Sequence, residues 1–121
     1  MKSRAQELVD KSVAAMIAAI EIYNKPDFKY REETFSIIAI NAWELLLKAK
    51  WLAENKNRVQ ALYVMERKDK PSGKPYKHMK AKLTSCGNPF THSLDYLCKK
   101  LFERGILADP AWKNIQALSE I

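Results

Sequence analysis

Glycine is scarce in this sequence: the chain has three glycines among 121 residues, together with two cysteines and two histidines. So few glycines exclude a glycine-rich loop that would hold phosphates through backbone amides. Two cysteines are too few for a disulfide framework, and the C-x5-H-x5-C spacing of Cys86, His92 and Cys98 is not that of a zinc site. We therefore expect no metal and no cofactor.

Long apolar runs are also missing. No stretch approaches the roughly 20 apolar residues that a membrane-spanning helix requires, and the opening "MKSRAQELVDKS" lacks the apolar segment of a signal peptide. We expect a cytoplasmic protein with no membrane partner. The chain is nevertheless 47% hydrophobic and has three tryptophans, five tyrosines and four phenylalanines. This composition predicts one folded domain, without room for a second core.

Apolar periodicity predicts two long helices in the first half of the chain. The first runs from about Ser3 to Asn24, with an apolar stripe along one face. The second covers Tyr30 to Asn57, and its apolar residues point almost all round the helix. A helix that is apolar on every side is buried, so we expect this second helix to be central, with neighbours on several sides.

Two shorter helices are predicted in the last third. Thr91 or Ser93 can cap the third helix, and Gly105 ends it in the left-handed conformation. The fourth begins with Asp109 as its cap and Pro110 in the first helical position.

The fourth helix has a start signal but no stop signal, because its apolar period still runs at Ile121. We therefore expect a single domain over residues 1–121 that is truncated within its last helix. The apolar stripe of this helix should then form an interface, covered by a second copy of the chain or by another domain. Its members are Trp112, Ile115 and Leu118.

The segment between the second and third helices follows a different pattern. Apolar and polar residues alternate in residues 58–67 and again in 78–84, which favours two strands. The turn formers of "KDKPSGKPYK" lie between them. The predicted fold class is therefore mainly α: a helical bundle of about four helices with a β-hairpin inserted between the second and third.

The positive charge is concentrated in the same segment. The chain has a net charge of +7, and residues 58–100 hold ten basic and three acidic residues. The hairpin residues that could bind nucleic acid are Arg67, Lys68, Lys70, Lys74, Lys77, Lys80 and Lys82. They indicate either a salt-sensitive contact with nucleic-acid phosphates, without sequence preference, or a solvated hairpin whose lysines protect its strand edges.

A polar line crosses the central helix at Asn41, Glu44 and Lys48. Glu44 and Lys48 have the favourable spacing for an ion pair within one helix. The alternative is that the line faces a functional groove or a partner, and periodicity does not distinguish the two. His92 is likewise either an acid or base or a residue near a helix start.

Two stretches, "NAWELLLKA" and "GNPFTHSLDYL", carry a family resemblance that covers essentially the whole chain. The sequence resembles the N-terminal part of a bacterial domain of unknown function, family 3644 (DUF3644). Within it, "AWELLLKA" is similar to the E-x-x-L-K-A helix of HEPN domains, which are helical bundles found in many toxin and phage-defence ribonucleases. The matching residues are Glu44, Leu47, Lys48 and Ala49.

The HEPN resemblance implies an RNA-directed domain of a defence or stress system, and a homodimer. HEPN ribonucleases use an R-x4-6-H pair on a late helix, but here no histidine follows Arg104. The resemblance thus implies that the catalytic pair lies beyond Ile121 and that this chain alone is inactive, whereas a full-length protein would be a metal-independent endoribonuclease. The alternative is a non-catalytic protein-interaction or dimerisation module.

Overall fold

The computed structural model describes residues 2–66, 70–74, 79–86 and 91–121, and in these residues the chain is mainly helical. The four helices are α1 (Arg4–Asn24), α2 (Arg31–Glu54), α3 (Leu94–Glu103) and α4 (Asp109–Ser119). A 3-10 helix (Val59–Leu62) and the short strands β1 (Met65–Glu66) and β2 (Lys80–Ala81) lie between α2 and α3. The predicted four-helix, mainly α fold is thus confirmed. Within the described part of the chain, no helix has the length and apolarity needed to cross a bilayer.

The two long helices pack side by side in opposite directions. The hydroxyl of Ser3 caps α1 by accepting a 3.1 Å hydrogen bond from the Gln6 amide. At the other end of α1, the ring centroids of Tyr23 and Phe35 are 5.1 Å apart. The residues buried between the two helices are mostly small, which lets the backbones approach closely. They include Ser12, Ala19, Ala39 and Ala42.

The second half of α2 is the centre of the molecule, as the sequence predicted. On the side away from α1 it packs against α3, α4 and the 3-10 helix. The buried residues of this core are Leu47, Trp51, Leu97, Cys98, Leu101, Leu107 and Ile115. The first half of α2 is more open, and Ile37 is 62% exposed there.

The helix boundaries confirm two of the sequence signals and correct a third. Ser93 is the cap of α3, since its hydroxyl accepts a 3.2 Å hydrogen bond from the Tyr96 amide. Gly105 ends that helix at a φ of +73°, the left-handed conformation that was predicted. Asp109 is not the N-cap of α4. It is the first residue of the helix, and Ala108 holds the N-cap position. The Asp109 carboxylate instead pairs with Lys113, 3.0 Å away.

The segment predicted as a first long strand folds differently. Residues 59–62 form the 3-10 helix, and in the described residues the paired strands are two residues long each. They are antiparallel, with Met65 opposite Ala81 and Glu66 opposite Lys80. Local strand preference is weak and tertiary contacts override it. Here the 3-10 helix packs against α2, and the Trp51 indole donates a hydrogen bond to the Ala61 carbonyl.

The apolar stripe of α4 is used inside the chain. Ile115 is 2% exposed and belongs to the core, and the Trp112 ring lies 4.9 Å from that of Phe102 on α3. Leu118 is half-buried. Ile115 is thus covered inside the chain, whereas Trp112 and Leu118 stay partly exposed. An interface formed by this stripe stays a prediction.

Candidate functional site

A groove of about 590 Å³ lies where the 3-10 helix, β1 and the start of α3 meet. Three ring-bearing residues line it: Tyr63, His92 and Tyr96. Met65, the first residue of β1, and Val64 before it form part of its wall. The groove therefore combines ring surfaces with a wall that belongs to the strand pair.

Backbone pairing brings these distant residues together. Tyr63 and Thr91 form an antiparallel bridge, and the His92 amide donates a 2.8 Å hydrogen bond to the Leu62 carbonyl. Ser93 then starts α3, so Tyr96 lies on its first turn, near His92. His92 was identified from the sequence, but Tyr63 and Tyr96 were not predicted as its partners. The pairing that joins them is non-local and carries no sequence signature.

The rings form a connected cluster at the inner side of the groove. His92 and Tyr96 are stacked, with centroids 4.2 Å apart and planes inclined by 20°. Trp51 meets both edge-on, at 6.3 Å from His92 and 6.1 Å from Tyr96. The Arg104 guanidinium lies 4.4 Å from the centroid of the Trp51 ring, a cation–π distance. This network fixes the orientation of the exposed rings.

The environment of His92 favours its neutral form. Partial burial is the main reason that its pKa lies below the ordinary value, and the nearby Lys48 ammonium lowers the pKa further. A hydrogen bond with the Ala61 backbone acts in the opposite direction. The imidazole is therefore uncharged at neutral pH and presents a flat, weakly polar surface.

The polar line of the central helix reaches the edge of this groove. The Lys48 ammonium lies 3.1 Å from the Glu44 carboxylate and 3.2 Å from the Thr91 hydroxyl. Asn41 is exposed. The structure thus contains the ion pair that the spacing favours, and the same lysine also contacts the segment that carries His92.

The predicted basic residues fall partly within the described chain. Lys70, Lys74 and Lys82 are exposed, and the Lys82 amide donates a 2.8 Å hydrogen bond to Val64 in the groove wall. Lys80 lies in β2 opposite Glu66. The remaining three, Arg67, Lys68 and Lys77, lie outside the described residues.

A second groove, of about 410 Å³, continues from the first. The two share Gln60, Ala61 and Met65 in their walls, and Lys56 and Arg58 line the far part. Arg58 belongs to the basic segment of the sequence, but no role was predicted for it or for Lys56. These two cations follow the end of α2 in "ENKNR". This stretch predicts only the end of a helix.

The cysteines lie in different environments. Cys86 is exposed and Cys98 is buried, and burial raises the pKa of the Cys98 thiol to about 11. Among the residues that the structure describes, no three potential metal ligands come together.

The fold and the groove define a small, mainly helical domain with a ring-lined cleft beside a short strand pair. A family model described as "Domain of unknown function (DUF3644)" matches residues 7–121. The chain belongs to this family, as the resemblance of its sequence predicted. Comparisons with curated proteins and with solved structures found no match.

Proposed function

We propose that this chain is a HEPN-like, RNA-directed domain of a bacterial defence or stress system, and that it binds RNA through its basic strand segment and the adjoining groove. One observation carries the proposal. Val64 lines the ring-bearing groove and also accepts a backbone hydrogen bond from Lys82, on the basic side of the strand pair. The main chain of the basic segment is therefore joined to the wall of the groove.

The chemistry of the two surfaces is complementary to a nucleic acid. Exposed lysines attract phosphates as point charges, without sequence preference. Exposed aromatic rings provide surfaces on which bases stack. RNA suits this pair of surfaces better than duplex DNA, because the described helices offer no basic recognition helix for a major groove. The E-x-x-L-K-A stretch, with its Glu44–Lys48 pair at the groove's edge, supports the HEPN-like part of the proposal.

Binding of generic RNA at two salt concentrations tests the proposal. We expect measurable binding at about 50 mM salt that weakens strongly at about 200 mM, because each neutralised phosphate adds to the salt slope. A triple variant, Lys70→Glu, Lys74→Glu and Lys82→Glu, should abolish most of the binding.

A charge-matched control separates local contacts from net charge. Lys11, Lys25 and Lys29 are exposed residues on or next to α1, and changing all three to Glu alters the net charge equally. This control should retain clearly more affinity than the strand-segment variant. Absence of binding at low salt, or equal losses in the two triple variants, would show that the proposal is wrong.

A protein-interaction module is the second candidate, and a surface of α1 favours it. Val13, Ile17 and Ile20 are each about half exposed and follow one another along one side of the helix. Such a stripe could pack on a second copy of the chain. Sedimentation of the wild type and of Ile17→Lys tests this: a concentration-dependent dimer that the substitution dissociates supports it, and a strict monomer excludes it.

A further inference from the structure

We infer that the groove formed by Tyr63, His92 and Tyr96 binds an unpaired nucleobase, so that the RNA ligand of this domain is single-stranded. The inference rests on the proposed function and adds the class of RNA and the residues that select it.

The groove is large enough to take a nucleobase. Its volume of about 590 Å³ falls within the range of roughly 300–1,000 Å³ that is usual for small-molecule sites. Tyr96 stacks on His92 at 4.2 Å, meets Trp51 at 6.1 Å and has the Lys100 ammonium 5.7 Å from its ring centroid. Its ring is therefore already ordered, and a base that stacks on its outer face displaces the Lys100 ammonium. A ligand that stacks on an ordered ring avoids the entropy cost of fixing that ring.

The chemistry of the rings favours bases that are not stacked within a nucleic-acid duplex. In a duplex, both faces of each base are covered by its neighbours, whereas an unpaired base offers a free face for stacking. The neutral state of His92 suits this contact, because an uncharged imidazole loses little hydration when a base covers it. The side-chain amide of Gln60, which lines the same groove, can donate to or accept from a base edge.

The second groove extends the proposed path of the RNA strand. Lys56 and Arg58 line it together with Glu54, whose carboxylate is paired with Lys50 at 3.1 Å. It shares Gln60, Ala61 and Met65 with the first groove. A base held by Tyr96 and Tyr63 thus has two cations further along the same path to contact the next phosphates. Together the two grooves describe a track for a short single strand of about four nucleotides or more.

Three fluorescent probes of about 12 nucleotides test the inference by anisotropy. The first is oligoadenylate, the second is an abasic strand with the same number of phosphates, and the third is an RNA duplex of the same length. We expect oligoadenylate to bind roughly fivefold or more tightly than the abasic strand, which is the scale of one stacking contact. The duplex should likewise lack the part of the affinity that depends on unpaired bases.

Two tyrosine variants test whether the preference for oligoadenylate over the abasic strand depends on the groove. Tyr63→Leu and Tyr96→Leu should each reduce the ratio between oligoadenylate and abasic affinities towards one, while the abasic strand binds as before. Tyr23→Leu is the matched control, since Tyr23 is 50% exposed on α1, away from the groove, and should leave the ratio unchanged. The comparison of probes on the wild type stands even if one variant fails to fold.

The outcomes separate this inference from the proposed function. Equal affinity for oligoadenylate and abasic strand, or a preference that survives both groove substitutions, overturns the inference, although lysine-dependent binding would still support an RNA-directed domain. A duplex that binds more tightly than oligoadenylate also overturns it. If none of the three probes binds, both the inference and the proposed function fail.

Discussion

The indole Nε1 of Trp51 donates a 2.9 Å hydrogen bond to the carbonyl oxygen of Ala61. This bond joins α2 to the 3-10 helix, and the same indole ring contacts His92, Tyr96 and Arg104. One buried side chain therefore connects the core of the domain to the base of the groove.

Replacing Trp51 with Phe should destabilise the fold, because it removes a part-buried hydrogen bond to the Ala61 carbonyl and ring volume from the core. We expect a loss of roughly 0.5–1.5 kcal/mol in the free energy of unfolding for the hydrogen bond, in addition to the loss of ring volume. Trp112→Phe is the control for volume, since Trp112 packs against Phe102. Urea denaturation followed by circular dichroism should show the larger loss at Trp51; equal losses would contradict this account.

Much of the helical architecture follows from local sequence signals. The Ser3 cap, the apolar periodicity of α1 and the left-handed Gly105 each depend on residues within a few positions of one another. They are visible in the sequence because helices satisfy their backbone hydrogen bonds locally. The all-round apolar pattern of α2 also predicted its central position correctly.

The groove could not be predicted in the same way. It depends on the Tyr63–Thr91 bridge and on the contact between Lys48 and Thr91, which join residues far apart in the chain. No local pattern specifies such pairs, and strand preference in residues 59–62 even pointed to the wrong element. Likewise, periodicity identified the apolar stripe of α4 but not the neighbours that cover Ile115.

The pKa of His92 predicts a specific dependence of stability on pH. Because the folded pKa lies below its usual value of 6.5, the unfolded state binds more protons just below that pH. Stability therefore rises with pH in this range and is fully present above the unfolded pKa. It is lost as the pH falls below about 6.5 towards the lower, folded pKa.

Denaturation of wild type and His92→Gln between about pH 7.5 and pH 5.5 measures this contribution. The variant should lose less stability on acidification than the wild type does, because it has no imidazole to protonate at this position. Parallel curves for the two proteins would mean that His92 is not desolvated in solution.

The two thiols should differ sharply in reactivity. Cys86 is exposed, whereas Cys98 is buried and has a pKa of about 11. The thiolate is the reactive form, so at about pH 8 a disulfide reagent should modify Cys86 rapidly and Cys98 slowly in the native protein. Cys86→Ser should remove the rapid phase, and both thiols of the wild type should react rapidly in denaturant. A rapid phase that persists in Cys86→Ser would show that Cys98 is accessible.

Gly105 allows a test of backbone strain separate from packing. Its φ is +73°, and a Cβ added there would meet no atom within 4 Å, so a larger residue encounters no steric obstacle beyond its own backbone. Gly105→Ala should therefore cost about 1–2 kcal/mol, the penalty for a residue with a Cβ in the left-handed conformation. Gly105→Asn should cost less, because asparagine tolerates this conformation better than alanine. Equal free energies of unfolding for the two variants would contradict a backbone origin, since alanine and asparagine differ here mainly in their tolerance of positive φ.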